Sequence, residues 1–537
     1  MFYDMPVRKA FYLTTFAISA VIVWMLPAWL AGFPNEMPEI AQIKAFAENG
    51  VFPMDSMRLT PVLLSLLHPF IAWENLNGWV LVNAVVFALA LIAWWLFIKR
   101  LFDERTAWIS SAIFALMPVY WLKALHADGY VFALLFLFLA CNAFLALRRK
   151  RRILRSIVCG LIFGLAIASR DAFILFFPWL LFSYFWIERR KWARALVECV
   201  LFAGFAVAVY SFPFIARSME SGLNINERIG ILMEAAAPRE ASWSHFYPDQ
   251  YTYEFEREEY AKRATEEFES QSWLERQQHR HYRLIFGIDA MKPFISFLDG
   301  LWLFVNRIPS LFMQDTVGGI FLWLFILPGM AVLYENKKKL LILLIGLALS
   351  VELIVRFGFH FQRLHLMNYG WMLALFAAAG IIWVCETLGK QSRSITPNAL
   401  AAFIAVVIAL QMVQANRKQF AQLYARSSVP SALAAASQLD SLPENSVTAF
   451  PIEFQTYFAL SDAKRIYFHE QTVKHLLDEG KLKEAFENYG VTHAIGYPDE
   501  LLSGIKKAMP DITIVEPVEA KGVKVTPVVR YLLHLIR

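Results

Sequence analysis

Two glutamates are the residues of this chain best suited to chemistry. Glu36 and Glu39 stand in the stretch Pro34-Asn35-Glu36-Met37-Pro38-Glu39, directly after the first long apolar run. A spacing of three puts both on one face of a helix. Pro38 suits the first turn of such a helix, which would run to Asn49 and stop at Gly50. Carboxylates there can take a proton from a bound acceptor, or they can simply complement the positive end of the helix dipole. Charge beside lipid is costly unless it is paired or used, so both are functional candidates.

Two further sites join them. Arg58 opens the amphipathic stretch Met57-Arg58-Leu59-Thr60-Pro61 that runs to Trp73, where a cation can reach a phosphate or anchor the helix among headgroups. Asp128 ends the turn Leu125-His126-Ala127-Asp128 and either caps the next helix or faces a cavity shared with Glu36. The cysteines, Cys141, Cys159, Cys199 and Cys385, lie in or beside apolar runs with no Cys-x-x-Cys spacing, and they read as packing residues. His279 and His281 sit in a charged run and read as a solvated surface.

The elements that must position these residues are membrane spans. Of 537 residues, 58% are hydrophobic and only 18% charged, which excludes an ordinary soluble globular chain. With lipid thickness as the ruler, about eleven spans fit, near 11–31, 77–98, 107–124, 129–147, 155–169, 172–187, 195–215, 317–334, 340–356, 366–385 and 397–415. The fifth and sixth are short and read as a bent pair joined by Ser169-Arg170-Asp171. The first lacks a small-residue cleavage pattern and reads as a retained span.

Basic residues fall at every second junction: Arg8-Lys9, Lys99-Arg100 with Arg105, Arg148 to Arg152 with Arg155, Arg189-Arg190-Lys191, Lys337-Lys338-Lys339, and Lys390 with Arg393. By the positive-inside rule these face the cytoplasm, with the N-terminus inside and the C-terminus outside. The net charge of +6 is thereby a matter of membrane orientation, and no nucleic-acid partner is expected.

The outside segments hold the complexity: loop 32–76, the Asp128 turn, segment 216–316, the turn around Arg363, and a tail from about 416. Pro293 to Phe312 mixes apolar residues with Asp299, Asn306, Arg307 and Pro309, the pattern of an interfacial helix. Residues 1–415 thus form a polytopic α-helical membrane domain, and 416–537 a small extracytoplasmic α/β domain. Its strands are expected near 446–450, 464–468, 491–497, 512–515 and 523–532, with a helical stretch from Thr472 to Tyr489 and a helix begun by Pro498-Asp499-Glu500. It has no Gly-x-Gly-x-x-Gly and no P-loop, so nucleotide binding is not expected.

Several stretches together resemble the GT-C membrane glycosyltransferases, near the protein O-mannosyltransferase and aminoarabinose transferase branches. They are the acidic loop after the first span, Arg58-x-x-Pro61-x-Leu63, the run from Leu101-Phe102-Asp103 to Pro118, and Asp128 opening the next span. Gly160-Leu161-Ile162-Phe163-Gly164-Leu165-Ala166-Ile167-Ala168-Ser169-Arg170 and Arg363-Leu364-His365-Leu366 complete the series. The resemblance covers most of residues 1–415. It implies transfer of a sugar, with inversion, from a polyprenyl-phosphate donor to an extracytoplasmic lipid, glycan or protein acceptor. A carboxylate of the first outside loop would be the base, and cations would hold the leaving phosphate.

The family has Asp-Glu where this chain has Asn35-Glu36, and an asparagine cannot be a base. The role then passes to Glu36 or Glu39, with Glu36 preferred and Asp128 positioning the acceptor or assisting. Arg58, Arg170, Arg307 and Arg363 are the candidates for the donor phosphate. No cofactor is expected and no metal ligand set is read, although some branches use a metal. The expected setting is a bacterial or archaeal plasma (inner) membrane, with membrane lipids as the surroundings. Two other readings compete: a transporter or flippase for lipid-linked glycans, and an inactive scaffold of the same fold. The absence of an obvious internal repeat and the outward clustering of acids favour the transferase.

Overall fold

The computed structural model describes residues 7–31, 43, 46–47, 59–72, 75–120, 129–147, 151–187, 192–220, 320–358, 368–391, 396–426, 441–443, 445–451, 464–468 and 470–515. Its membrane part consists of α1 (Val7–Ala31), α2 (Leu59–Ser65), α3 (Leu76–Leu101), α4 (Glu104–Leu116), α5 (Gly129–Ala146) and α6 (Arg152–Ser169). It continues with α7 (Phe177–Ile187), α8 (Trp192–Glu220), α9 (Ile320–Gly358), α10 (Gly370–Gln391) and α11 (Pro397–Arg426). Each of the eleven expected ranges overlaps one of these helices, with α9 accounting for two of them. Among the described residues, six helices (α3, α5, α6, α8, α10 and α11) are long and apolar enough to cross a membrane. The helix expected after Pro38 is represented by Ile43, Phe46 and Ala47, which are helical, with Ile43 fully buried.

Local chemistry accounts for the helix ends. The Asn75 side chain caps α3 by accepting from the Gly78 N–H (3.0 Å), and Lys99 and Arg100 complement the negative end of its dipole. Asp103 caps α4, accepting from the Thr106 N–H at 2.7 Å and from its hydroxyl at 3.1 Å. α9 breaks at Lys337, whose φ and ψ of −141° and 45° are not helical. There the Lys337 ammonium turns to donate to the Leu101 carbonyl (2.6 Å) at the end of α3 and lies 4.9 Å from the Phe102 ring.

In lipid there is little hydrophobic drive between helices, so close packing and polar contacts hold them together. Gly160 and Gly164 of α6 lie against the backbone of α8. A Cβ on Gly160 would come 2.5 Å from the Phe202 carbonyl oxygen, and one on Gly164 2.8 Å from that of Ala206. An aromatic core fills the centre, with Trp24 stacked on Phe87 at 3.3 Å and Trp94 set 5.4 Å from Trp371. The Trp24 indole also donates to the Ala115 carbonyl at 3.0 Å.

The basic junctions gather at one end of this bundle through direct contacts. Arg100 donates to the Asn142 side chain (2.7 Å), Arg105 to Glu386 (3.2 Å), and Lys337 to Leu101. At the same end Glu198 of α8 accepts from Arg155 (2.9 Å) and lies 3.6 Å from Arg152, both on α6. This pairing explains a difference from the sequence reading. The fifth span begins at Arg152 rather than 155, because the two arginines find a buried carboxylate and stay helical. It is a full-length helix, and only its partner α7 is short. The bend between them is real: Arg170 is extended, and a 3-10 turn over Asp171–Phe176 leads into α7.

The tail contains β1 (Val447–Phe450), β2 (Lys464–Tyr467), α12 (Glu470–Asp478), α13 (Leu482–Asn488), β3 (His493–Ile495), α14 (Asp499–Ala508) and β4 (Thr513–Val515). All described pairings are parallel, in the order β2-β1-β3-β4. Ala449, Ala494 and Ile514 share the sheet face that packs on Val473, Leu476, Phe486 and Ile505 of the helices. The stretch expected as one helix over 472–489 is two, parted by a turn at Gly480 (φ 69°). The strand expected near 523–532 lies outside the described residues.

Two outcomes follow. Glu198→Ala leaves Arg155 buried without its carboxylate and should cost about 3–5 kcal/mol. Thermal unfolding in detergent should show the loss, and Glu198→Ala with Arg155→Leu should recover part of it. In the tail, partial burial holds the His493 imidazole below its ordinary value of 6.5, so the fold favours the neutral ring. Stability from this group is present above the unfolded-state value and is lost as pH falls through the folded one. The protection factors of the β3 amides, taken relative to intrinsic exchange at each pH, should therefore fall from about pH 7.5 to about pH 5, and His493→Gln should flatten the change.

Candidate active site at a junction of helix ends

At the end of the bundle away from the basic junctions, α2, α5 and α6 meet. α6 brings its last carbonyls there, and these lack partners within the helix. One of them, that of Ser169, accepts from the Thr60 hydroxyl at 3.2 Å, across 109 residues of chain. Both residues are fully buried or nearly so. Thr60 is held in the first turn of α2, directly ahead of Pro61.

Gly129, the first residue of α5, makes the junction possible. A Cβ there would overlap the Ser169 carbonyl oxygen and would stand 2.9 Å from Thr60 Oγ1. Only the bare backbone of α5 fits between the other two elements.

Arg170 lies beside this contact. Its N–H closes the last turn of α6 on the Ala166 carbonyl (3.1 Å), and its own carbonyl accepts from the Phe173 N–H (3.0 Å) to begin the 3-10 turn. The half-buried side chain sets its guanidinium 4.5 Å from the ring of Tyr130, the second residue of α5. Such a cation–π contact orients the planar group, and arginine keeps its charge at any working pH. A fixed cation at the mouth of a helix bundle suits an anionic group such as a phosphate.

α10 starts at this end too. The Trp371 N–H donates to the buried Tyr120 hydroxyl at 2.9 Å, and the Trp371 indole donates to the Asn368 carbonyl at 2.6 Å. From Trp371 to Glu386, which pairs with Arg105 at the basic end, α10 rises about 22 Å.

Of the residues singled out from sequence, Arg170 is described. Glu36, Glu39, Arg58, Asp128, Arg307 and Arg363 lie outside the described residues. Sequence reading missed Thr60, Gly129 and Tyr130 as its companions. The signal for Thr60 was its place in Arg58-x-x-Pro61, and that for Gly129 a glycine directly after an acidic turn. Among the described residues no group of three or more His, Cys, Asp or Glu comes together to hold a metal.

The chain is similar to known proteins in sequence and in fold. Residues 56–215 match the dolichyl-phosphate-mannose-protein mannosyltransferase family. None of the curated proteins compared with the chain matches it. Among solved structures, the oligosaccharyltransferase of Archaeoglobus fulgidus, in complex with Zn and sulfate, superposes with a TM-score of 0.53 at 12% identity, covering 89% of this chain and 67% of its own. The same archaeon's AglB with an inhibitory peptide and a dolichol-phosphate gives 0.52 at 12%, over 91% and 69%. ArnT from Cupriavidus metallidurans bound to undecaprenyl phosphate gives 0.50 at 10%, over 94% and 89%. At such identities the structural likeness speaks for the fold, and the family match adds a sequence likeness across α2 to α8. Together they support a membrane glycosyltransferase working with lipid-phosphate-linked donors, and the chain has the GT-C fold of those enzymes.

Proposed function

We propose that this protein transfers a sugar from a polyprenyl-phosphate donor to an extracytoplasmic acceptor with inversion of the anomeric carbon. Glu36 is the base, Asp128 and Glu39 assist it or position the acceptor, and Arg58, Arg170, Arg307 and Arg363 receive the phosphate. The acceptor's proton passes to Glu36 as its heteroatom bonds the anomeric carbon. The bond from that carbon to the phosphate oxygen breaks on the opposite face, and the lipid leaves as polyprenyl phosphate, its growing charge met by the guanidinium groups.

One observation carries the reading: Thr60, Gly129 and Ser169 meet at a single point, with Arg170 beside it. Arg58 precedes Thr60 by two residues and Asp128 directly precedes Gly129. Arg170 at the junction, with a second cation and a carboxylate close in sequence to residues of that junction, supports assigning all three to one lipid headgroup. The family match and the fold favour such a headgroup over a transported solute. The end of the bundle away from the basic junctions is then extracytoplasmic.

Purified protein incubated with radiolabelled polyprenyl-phosphate sugars should release polyprenyl phosphate. Glu36→Gln should lower turnover by about 10²–10⁴-fold with donor binding and thermal stability intact. Full activity in that variant, with loss in Glu39→Gln, would move the base to Glu39. Arg170→Ala should weaken binding of undecaprenyl phosphate by about 10- to 100-fold. Arg170→Lys should recover only part of it, because an ammonium lacks the planar fork.

A further inference from the structure

Asn368, directly ahead of α10, is fully buried, and neither its Oδ1 nor its Nδ2 has a hydrogen-bond partner among the described residues. Asn142, a second buried amide of the bundle, is by contrast fully served. It donates from Nδ2 to the carbonyls of Ala93 (2.7 Å) and Phe138 (2.8 Å), and its Oδ1 accepts from Arg100 at 2.7 Å. A buried carboxamide left without partners is destabilising, and in lipid a polar group is retained where it has work to do.

The position of Asn368 is well defined. Its backbone carbonyl is bound by the Trp371 indole, and the Trp371 N–H is bound by Tyr120. The Trp371 ring is in turn wedged 5.4 Å from Trp94 and 5.6 Å from Phe138. The residue lies at the same end of α10 as the candidate site, five positions after Arg363. A side chain anchored in this way is preorganised, which lowers the ordering cost of binding.

The chemistry of the group selects its ligand. A carboxamide offers one acceptor and two donors. Phosphate oxygens would satisfy only the donors, and a lipid chain neither. Neighbouring hydroxyls, each of which donates and accepts, satisfy both. We propose that the Asn368 carboxamide binds hydroxyl groups of the sugar carried by the lipid-linked donor, and so helps to select that sugar. This assignment rests on the glycosyltransferase reading given above.

The test measures binding to the full chain in detergent. The probes are bare undecaprenyl phosphate and undecaprenyl phosphate bearing mannose, glucose, galactose or N-acetylglucosamine. The wild type should bind at least one sugar-bearing lipid more tightly than the bare one. Asn368→Leu should weaken that sugar-bearing lipid by about 10- to 100-fold, leave the bare lipid unchanged, and keep or raise the thermal midpoint. Should the leucine variant fail to fold, Asn368→Asp, which keeps the size but loses both donors, should show the same selective loss. A wild-type preference retained within about twofold in the folded variant would overturn the assignment. An equal loss for bare and sugar-bearing lipid would overturn it as well, because the residue would then serve the phosphate or the chain. A wild type that binds none of the lipids would overturn the glycosyltransferase reading and this inference together.

Discussion

The contact between the Thr60 hydroxyl and the Ser169 carbonyl is the one on which the end of this bundle away from the basic junctions depends. Within a bilayer, irregular backbone is tolerated only where its polar groups find partners in the protein or line a cavity. The end of α6 is such a place, and the threonine supplies the partner. Once that bond is made, Gly129 must follow, because no side chain fits beside it. Tyr130 then lands where its ring meets Arg170. The position of the cation is thus a consequence of backbone satisfaction, not of any attraction to a ligand.

The two ends of the molecule treat charge differently. At the basic end cations are consumed internally: Arg155 by Glu198, Arg105 by Glu386, Arg100 by Asn142, Lys337 by a helix carbonyl. These contacts stitch α3, α4, α6, α8, α9 and α10 together and leave that end structural. At the opposite end the Arg170 guanidinium lies 4.5 Å from the Tyr130 ring, and that contact orients its plane.

Much of the fold was legible in the sequence because its signals are local. Lipid thickness sets the length of an apolar run, and clusters such as Lys337-Lys338-Lys339 mark where the chain turns back. Strand and helix alternation in the tail was readable for the same reason. The site was only partly legible. Arg170 emerged from a motif, but its companions did not. A hydroxyl meeting a carbonyl 109 residues away leaves no periodic trace. The earlier start of α6 was hidden likewise, since Arg152 and Arg155 read as loop cations until Glu198 of another helix is set beside them. Asn368 lay in Leu366-Met367-Asn368-Tyr369, where one asparagine in an apolar run looks like ordinary tolerance until the described residues around it prove to offer its side chain no partner.

α6 is fastened at both ends, to α8 through Glu198 at its start and to α2 through Ser169 at its finish. A helix tied in this manner cannot tilt or slide to suit a bilayer of different thickness without breaking one of its ties. α8 and α11 turn Val200, Phe212, Phe403 and Leu410 outward. Hydrophobic mismatch is commonly relieved by helix tilt at a fraction of a kcal/mol per ångström. The two ties of α6 oppose that relief, so the distance between its fastened ends is set by the protein rather than by the lipid, and Arg170 stands directly after the second of them.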